Sequence, residues 1–181
     1  QKTAYEIRLS LVGSEMCIRD RPKPLPNHWV IGAAIGVAVD ARDHVWILHR
    51  QTSLEDKEKY ATWSPQASTC CVPAPPVLEF NAQGDLVGSW GGPGTGYTWP
   101  SSNHGIDIDY KGNVWIGGNG RGQQAAPIAH NEDRMADPGT VHDSMLLKFT
   151  QAGKLLMQIG QPNASKGSND IKNLRLPAKS I

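Results

Sequence analysis

Apolar and polar residues alternate in short stretches of this chain, each followed by a turn and a second apolar run. Residues 105–109 read Gly-Ile-Asp-Ile-Asp, the period-two pattern of a strand with one buried face. Lys111, Gly112 and Asn113 then predict a tight turn, because Gly and Asn adopt positive φ at low cost. Residues 114–116, Val-Trp-Ile, form a second strand of β-branched and aromatic residues. The pattern predicts a β-hairpin.

The same hairpin pattern occurs twice. Gly-Val-Ala-Val-Asp at residues 36–40 and Val-Trp-Ile at residues 45–47 lie 69 positions before their counterparts. A second predicted hairpin, residues 77–90, has its counterpart at residues 146–159, again 69 positions later. Two separate units that share one separation indicate an internal repeat, and a repeat decides the architecture.

Each repeat predicts about four short strands, which is the content of one β-propeller blade. We therefore predict an all-β fold, a partial propeller of about two to three four-stranded blades within residues 22–181. A single blade cannot bury both of its faces, so neighbouring blades must stack. Closed propellers have at least four blades, and we expect the chain to be a fragment of a longer protein.

The first twenty residues differ from the rest of the chain. Residues 1–7 and 11–20 resemble the translation of a standard short-read sequencing adapter with a sample index between its two parts. Arg21 straddles the junction, so we expect residues 1–21 to be non-native and leave them out of fold reasoning. The alternative is a genuine amphipathic N-terminus. We expect a periplasmic or secreted protein whose native N-terminus, with any signal peptide, is missing.

Composition narrows the classes of function. The chain has 19 Gly and 13 Pro but only 2 Phe, which suits short strands joined by many turns. A formal net charge of +1 gives no sign of nucleic-acid binding or of an anionic membrane surface. No apolar run is long enough to span a bilayer. The expected partner is a protein or a small-molecule ligand at the propeller face.

Residues 51–76 form a long insertion between two predicted strands. Residues 54–60 predict one or two helical turns behind a Ser53 cap, and residues 64–76 predict irregular structure. Cys70 and Cys71 are adjacent, and no CxxC spacing supports a zinc ribbon. They predict either a reducible vicinal disulfide in an oxidising compartment or a loop with two buried thiols.

The repeated units resemble NHL-type β-propellers over residues 28–160. The resemblance rests on Trp99-Pro100, His104-Gly105-Ile106, Asp109, Gly112-Asn113-Val114-Trp115-Ile116, Leu147-Lys148-Phe149, Gly153 and Ile159-Gly160. It implies a fold rather than a function, because propellers host enzymes, binders and scaffolds alike. A ligand- or protein-binding module is the leading functional prediction.

A narrower resemblance is to the peptidyl-hydroxyglycine amidating lyases, which are six-bladed propellers of this type. It rests on Gly-Val-Ala-Val-Asp at residues 36–40, a strand that ends in His49-Arg50, His104-Gly105, Asp109 and Gly-Asn-Val-Trp at residues 112–115. The resemblance implies that His104 is one of three histidines that hold a channel zinc and that Arg50 contacts the substrate. It also implies that the backbone carbonyls of Val37 and Ile106 help to hold a structural calcium.

A zinc-dependent lyase is therefore the alternative function. Zinc with three imidazole ligands and one open position lowers the pKa of a bound hydroxyl, and an arginine beside it binds a carboxylate. Three residues separate Pro100 from His104 here, whereas in the lyases Pro directly precedes His. The other two zinc histidines would lie on further blades. The alternative for His104 is a channel histidine hydrogen-bonded to a neighbouring blade.

Two further pairs of residues carry expectations. Asp40 and Asp109 are equivalent in the repeat, and we expect each to accept backbone N–H bonds at its turn. His49 and Arg50 end a predicted strand together, and we expect the pair to face a groove.

Overall fold

The computed structural model describes residues 23–120, 142–165, 170 and 172–174. The predicted adapter translation, residues 1–21, lies outside these ranges, so that prediction stays untested. None of the helices in the described ranges is both long enough and apolar enough to cross a membrane.

The described part of the chain is all-β, as predicted. Its ten strands are β1 (Trp29–Val30), β2 (Ala33–Val39), β3 (Val45–Arg50), β4 (Val72–Pro73), β5 (Val77–Phe80), β6 (Leu86–Trp90), β7 (Asn103–Ile108), β8 (Val114–Gly118), β9 (Met145–Phe149) and β10 (Leu155–Gly160). Its helices are three single turns of 3-10 type, Gln51–Ser53, Asp56–Glu58 and Tyr60–Thr62.

Two four-stranded antiparallel sheets contain eight of these strands. Sheet A has the order β2-β3-β5-β6 and sheet B the order β7-β8-β9-β10, so each strand pairs with the next one of its sheet. A separate parallel pair joins β1 to β4. The described residues therefore hold two copies of the four-stranded meander that the repeat predicts, and they do not close into a ring.

The two sheets share their register as well as their strand order. Val45 pairs with Phe80 in sheet A, and Val114 pairs with Phe149 in sheet B. The members of each pair lie 69 positions from their counterparts. This agreement confirms the internal repeat, since a shift of one residue would turn every side chain to the opposite face.

Sheets A and B pack face to face around one hydrophobic core. Its buried members are Trp46, Leu48 and Val77 from sheet A and Ile106, Val114, Ile116, Leu147 and Phe149 from sheet B. Phe149 lies among three aromatic rings, with centroids 5.0 Å away at Trp90, 5.2 Å at Tyr97 and 6.1 Å at Trp99. Aromatic pairs at such distances add about 0.5–1.5 kcal/mol each to the burial of apolar area.

The first strands of the two sheets touch at Gly36. A Cβ atom on Gly36 would lie 3.0 Å from Cγ2 and 3.1 Å from the backbone nitrogen of Ile106. A register shift occurs in β2 between Ala34 and Gly36 and in β7 between Asn103 and Ile106. The repeated glycine is thus a packing residue, and its lack of a side chain sets how closely β2 approaches β7.

The insertion after β3 differs from the prediction. The one or two helical turns expected over residues 54–60 are replaced by short 3-10 turns, and Ser53 ends the first of them instead of capping a helix. Its Oγ accepts the N–H of Ala33 and donates to the carbonyl of Arg50, both at 2.7 Å. Val72–Pro73 pairs with β1 although residues 64–76 predict irregular structure, because only tertiary contact reveals a strand this short.

Replacement of Gly36 by valine tests the contact between β2 and β7. We expect Gly36→Val to lower the free energy of unfolding by about 1–3 kcal/mol, the usual cost of added methyl groups in a packed site. The control is Ala34→Val, an enlargement at an exposed position of the same strand, which should change stability little. Urea unfolding followed by tryptophan fluorescence measures both. Equal midpoints for the two variants would show that the strands do not meet at Gly36.

Candidate functional site

The β2–β3 and β7–β8 turns are each fixed by one aspartate. In sheet A, Oδ1 of Asp40 accepts the backbone N–H of Arg42 at 2.8 Å and of His44 at 3.1 Å. Its Oδ2 accepts the indole N–H of Trp46 at 3.2 Å. The carboxylate therefore joins the turn to the core of the sheet.

Asp109 repeats these bonds in sheet B. Its Oδ1 accepts the backbone N–H of Lys111 at 3.0 Å and of Asn113 at 2.8 Å. Its Oδ2 accepts the indole N–H of Trp115 at 3.0 Å. The prediction that Asp40 and Asp109 accept backbone N–H bonds at their turns is confirmed.

The cations that pair with the two aspartates come from different positions of the repeat. In sheet A, Arg42 donates to Asp40 and to Glu79, with its Nη2 atom 2.7 Å from an oxygen of each. Lys148 is the counterpart of Glu79 in sheet B, and its Nζ lies 2.8 Å from Oδ2 of Asp109. The acidic Glu79 of sheet A is thus replaced by the basic Lys148 in sheet B, and Lys148 takes over the pairing with the turn aspartate that Arg42 provides in sheet A.

These contacts keep both aspartates ionised. Burial acts to raise the pKa of Asp40, but hydrogen bonds from Arg42, His44 and Trp46 outweigh it and lower the pKa to about 2. The hydrogen bond from Lys148 does most to hold the pKa of Asp109 well below its usual range, against a smaller opposing effect of burial. Both aspartates are therefore ionised at neutral pH, and each is paired with a cation.

An open cleft of about 680 Å³ lies between the two turns. Its lining residues are Val39, Asp40, Ala41, Arg42, Ile108, Asp109, Tyr110, Lys111, Gly112, Asn113, Thr150 and Gln151. Gln151 of sheet B crosses its floor, since its Oε1 accepts from Arg42 at 3.0 Å and its Nε2 donates to Asp40 at 3.3 Å. We call this the turn cleft. Its two walls are held together by hydrogen bonds.

One group of side chains beside the turn cleft has the composition of a metal site. Ligand atoms of Asp40, His44 and Glu79 lie within 4.8 Å of one another. The guanidinium of Arg42 already donates to both carboxylates, and Nδ1 of His44 lies 2.6 Å from Glu79. These contacts give both carboxylates and the imidazole a partner, so a metal is not needed to explain why the three side chains cluster.

His49 and Arg50 lie at the other end of β3, and both are buried, at 0% and 1% exposure. The expectation that they face a groove is wrong, because each has partners inside the protein. Nδ1 of His49 accepts the N–H of Gly32 at 3.2 Å, and the ring N–H at Nε2 donates to the carbonyl of Pro75 at 2.9 Å. Burial lowers the pKa of His49, so the ring stays neutral in this tautomer.

Arg50 connects the two sheets. Its Nη2 donates to the carbonyl of Asn103 at 3.3 Å and to Oδ1 of Asn119 at 3.4 Å. Asn103 donates in return to the carbonyl of His49 at 2.9 Å. Arg50 therefore has a structural role that the sequence does not reveal.

Asp143 is a fully buried carboxylate in the same region. It accepts backbone N–H bonds from Ser101 at 2.9 Å, Ser102 at 3.0 Å and Gly120 at 2.8 Å. It thereby joins the start of β7, the end of β8 and the start of β9. The sequence does not point to Asp143, because its partners are backbone groups that no residue pattern marks.

Three further residues are singled out by the lyase resemblance, namely His104, Val37 and Ile106. His104 is half-buried on β7 and follows Asn103, whose carbonyl accepts from Arg50. Within the described ranges, the groups of three or more clustered metal-binding side chains do not include His104, so these residues alone do not complete a zinc site. Val37 and Ile106 lie on β2 and β7, two strands that are in contact at Gly36.

Cys70 and Cys71 lie in the insertion, directly before β4. The structure joins their Sγ atoms in a disulfide. Cys70 is exposed and Cys71 is half-buried, so the alternative of two buried thiols does not hold.

No protein-family model matches the chain, and no curated protein matches it at a significant level. The function of the chain is therefore inferred from the geometry of its own residues.

The Asp40 network predicts a defined acid sensitivity. A carboxylate whose pKa is about 2 in the folded state and 3.8 otherwise adds about 2 kcal/mol of stability at neutral pH. This contribution is complete above pH 4 and is lost as the pH falls from about 4 to about 2. Asp40→Asn places an NH₂ group against the donors of Arg42 and Trp46, and we expect a loss of about 1–3 kcal/mol at pH 7.

Urea unfolding between pH 7 and pH 2 measures both effects. Asp40→Asn should also reduce the loss of unfolding free energy that the parent chain shows between about pH 4 and about pH 2. An exposed aspartate on the 3-10 segment supplies the control, since Asp56→Asn should leave the curve almost unchanged. If Asp40→Asn lost as much stability as the parent chain over this pH range, Asp40 would not be the group responsible for the acid sensitivity.

Proposed function

We propose that this chain is a ligand- or protein-binding module built from two blades of an NHL-type β-propeller. Its two four-stranded meanders, their shared register and their face-to-face packing support the propeller assignment. We further propose a periplasmic or secreted location, since the Cys70–Cys71 disulfide suits an oxidising compartment.

The turn cleft is the observation that carries this proposal. It lies where turns from both blades meet, and loops held by a rigid scaffold are the usual place for binding residues. The carboxylates of Asp40 and Asp109 are occupied by bonds within the turns, so they do not dominate the cleft surface. Exposed side chains at its edge are Lys111 and Tyr110, the latter 92% exposed, together with the partly exposed guanidinium of Arg42.

These groups favour a ligand that carries a carboxylate beside an apolar or aromatic part. Nζ of Lys111 lies 5.4 Å from the ring centroid of Tyr110, so a cation and a flat apolar surface occur side by side. A cation attracts a carboxylate, and the tyrosine ring offers contact area at low entropic cost. A short acidic peptide that contains an aromatic residue has both features.

Nuclear magnetic resonance titration with a Glu-Tyr-Glu peptide tests the proposal. We expect shifts confined to the amides of residues 108–113, 150 and 151, and an affinity lowered at least tenfold by Lys111→Glu. Lys57→Glu makes the same charge change on the 3-10 segment and should bind like the parent chain. A Lys-Tyr-Lys peptide controls for charge. Shifts spread over the surface, or equal losses in both variants, would refute the turn cleft as the binding site.

The alternative function is a zinc-dependent lyase of the amidating-lyase type. The observation that favours it is the hydrogen bond from Arg50 to the carbonyl of Asn103. This bond brings the guanidinium next to the residue that directly precedes His104. In this alternative, calcium at the carbonyls of Val37 and Ile106 is structural. Against it, Arg50 is 1% exposed, and a buried guanidinium must leave its partners to reach a substrate.

A contribution of His104 to zinc binding would favour the lyase assignment. Isothermal titration of the chain with zinc chloride should show binding that His104→Ala removes if the lyase assignment is right. His28→Ala removes an exposed histidine outside both sheets and serves as the matched control. We expect the two variants to bind zinc alike, as the binding-module assignment requires. A loss specific to His104→Ala would reverse the order of the two functions.

A further inference from the structure

The outer face of sheet A, which points away from sheet B, is only partly covered by the chain itself. Leu25, Trp29 and Ala74 pack against Leu78 and Phe80 on this face. Beside this cover lies a cavity of about 400 Å³ that opens to solvent, a volume within the range of about 300–1,000 Å³ that is typical of small-molecule pockets. Its lining is mostly apolar and includes Val45, Ile47, Phe80, Ala82 and Gly84.

Sheet B shows what fills the equivalent place when a second element packs on it. Phe80 and Gly84 correspond to Phe149 and Gly153 in the repeat, each 69 positions later. The ring of Trp90 occupies that place, with its centroid 5.0 Å from that of Phe149. A Cβ atom on Gly153 would lie 2.8 Å from the Trp90 ring. An aromatic ring therefore fits beside a phenylalanine and a glycine placed in this way.

The same region of sheet B also receives a cation. Oε1 of Gln151 accepts from the guanidinium of Arg42 at 3.0 Å. The counterpart of Gln151 in sheet A is Ala82, which has no polar side chain, but Asp43 lies in the same cavity lining where sheet B has Gly112. Among the described residues, Asp43 is the only ionisable group that lines the cavity. Sheet A thus offers a carboxylate where sheet B offers an amide, and a carboxylate is the stronger acceptor for a cation.

The β2–β3 turn holds Asp43 at the rim of the cavity. Its backbone N–H donates to the carbonyl of Asp40 at 3.0 Å, and its φ is 59°. Its side chain is exposed and, within the part of the chain that the structure describes, forms no hydrogen bond or ion pair. The carboxylate of Asp40, by contrast, is paired with Arg42. Asp43 is therefore the carboxylate of this turn that a ligand can reach.

We propose that this cavity binds a small aromatic amine, with the ring against Phe80 and the ammonium group paired with Asp43. Burial of the ring supplies contact area, and the charge-assisted bond to the carboxylate orients the ligand. The site is separate from the turn cleft, because Asp40 and Arg42 line the cleft whereas Asp43 lines the cavity. The two sites prefer opposite charges, a carboxylate at the cleft and a cation at the cavity.

Nuclear magnetic resonance titration of the whole chain with tryptamine tests the proposal. We expect saturable shifts in the amides of residues 43–47 and 80–84. Indole-3-ethanol has the same ring without the charge, and indole-3-acetate carries the opposite charge. Both should bind at least fivefold more weakly than tryptamine, because neither pairs with a carboxylate.

Two substitutions test the two parts of the site separately. Asp43→Asn removes the charge and keeps the turn, since asparagine tolerates a positive φ, and it should lower the affinity for tryptamine at least fivefold. The same variant should bind indole-3-ethanol like the parent chain. Ala82→Leu reduces the cavity and should weaken the binding of both ligands. Asp56→Asn removes an exposed carboxylate on the 3-10 segment, and this control should bind tryptamine like the parent chain.

Three results would overturn the proposal. The first is equal affinity for tryptamine and indole-3-acetate, or an Asp43→Asn variant that binds tryptamine like the parent chain. The second is a set of shifts confined to residues 108–113, 150 and 151, which would place the amine in the turn cleft. The third is the absence of saturable shifts, which would exclude a specific site. Circular dichroism confirms that each variant keeps its β structure, so that a lost affinity reports on the cavity.

Discussion

A four-stranded sheet with apolar residues on both faces cannot bury them by itself, and this constraint governs the structure. Sheets A and B satisfy this constraint by packing together at one interface, where Trp46 and Val77 share a buried cluster with Phe149 and its neighbours. The close approach of β2 and β7 at Gly36 sets the spacing of that interface. The buried polar contacts of Arg50 and the turn cleft both occur where the two packed sheets meet, so each depends on this spacing.

Polar side chains complete the interface at its two ends in different ways. At one end, Gln151 and Arg42 bridge the sheets within reach of solvent, beside a cleft that a ligand can enter. At the other end, Arg50 and Asn103 are buried, and each donates a hydrogen bond to a backbone carbonyl of the opposite sheet. A binding role is therefore better supported at the turn cleft than at Arg50, although Arg50 is the residue that the family resemblance singles out.

The sequence predicts the hairpins well because their signals are local. Alternation and turn residues place strands within one or two positions of those found, as for β5, β6 and β9. The roles of Asp40 and Asp109 also follow from the residues themselves, since an aspartate at a turn accepts nearby N–H groups. Burial of Arg50 and the contacts of Asp143 depend on partners far along the chain, which no periodic pattern encodes. The cleft itself is formed by two repeats together and by neither alone.

The reversal of charge between Glu79 and Lys148 bears on how such a chain can change over evolution. Each turn aspartate is neutralised by a cation from its own sheet, Arg42 in one case and Lys148 in the other. A sheet of this kind can be duplicated, deleted or exchanged as a unit without leaving its turn carboxylate unbalanced. The turn carboxylates are thus balanced within each sheet, whereas apolar contacts, a few hydrogen bonds and the partners of the buried Arg50 guanidinium must be matched again when the number of units changes.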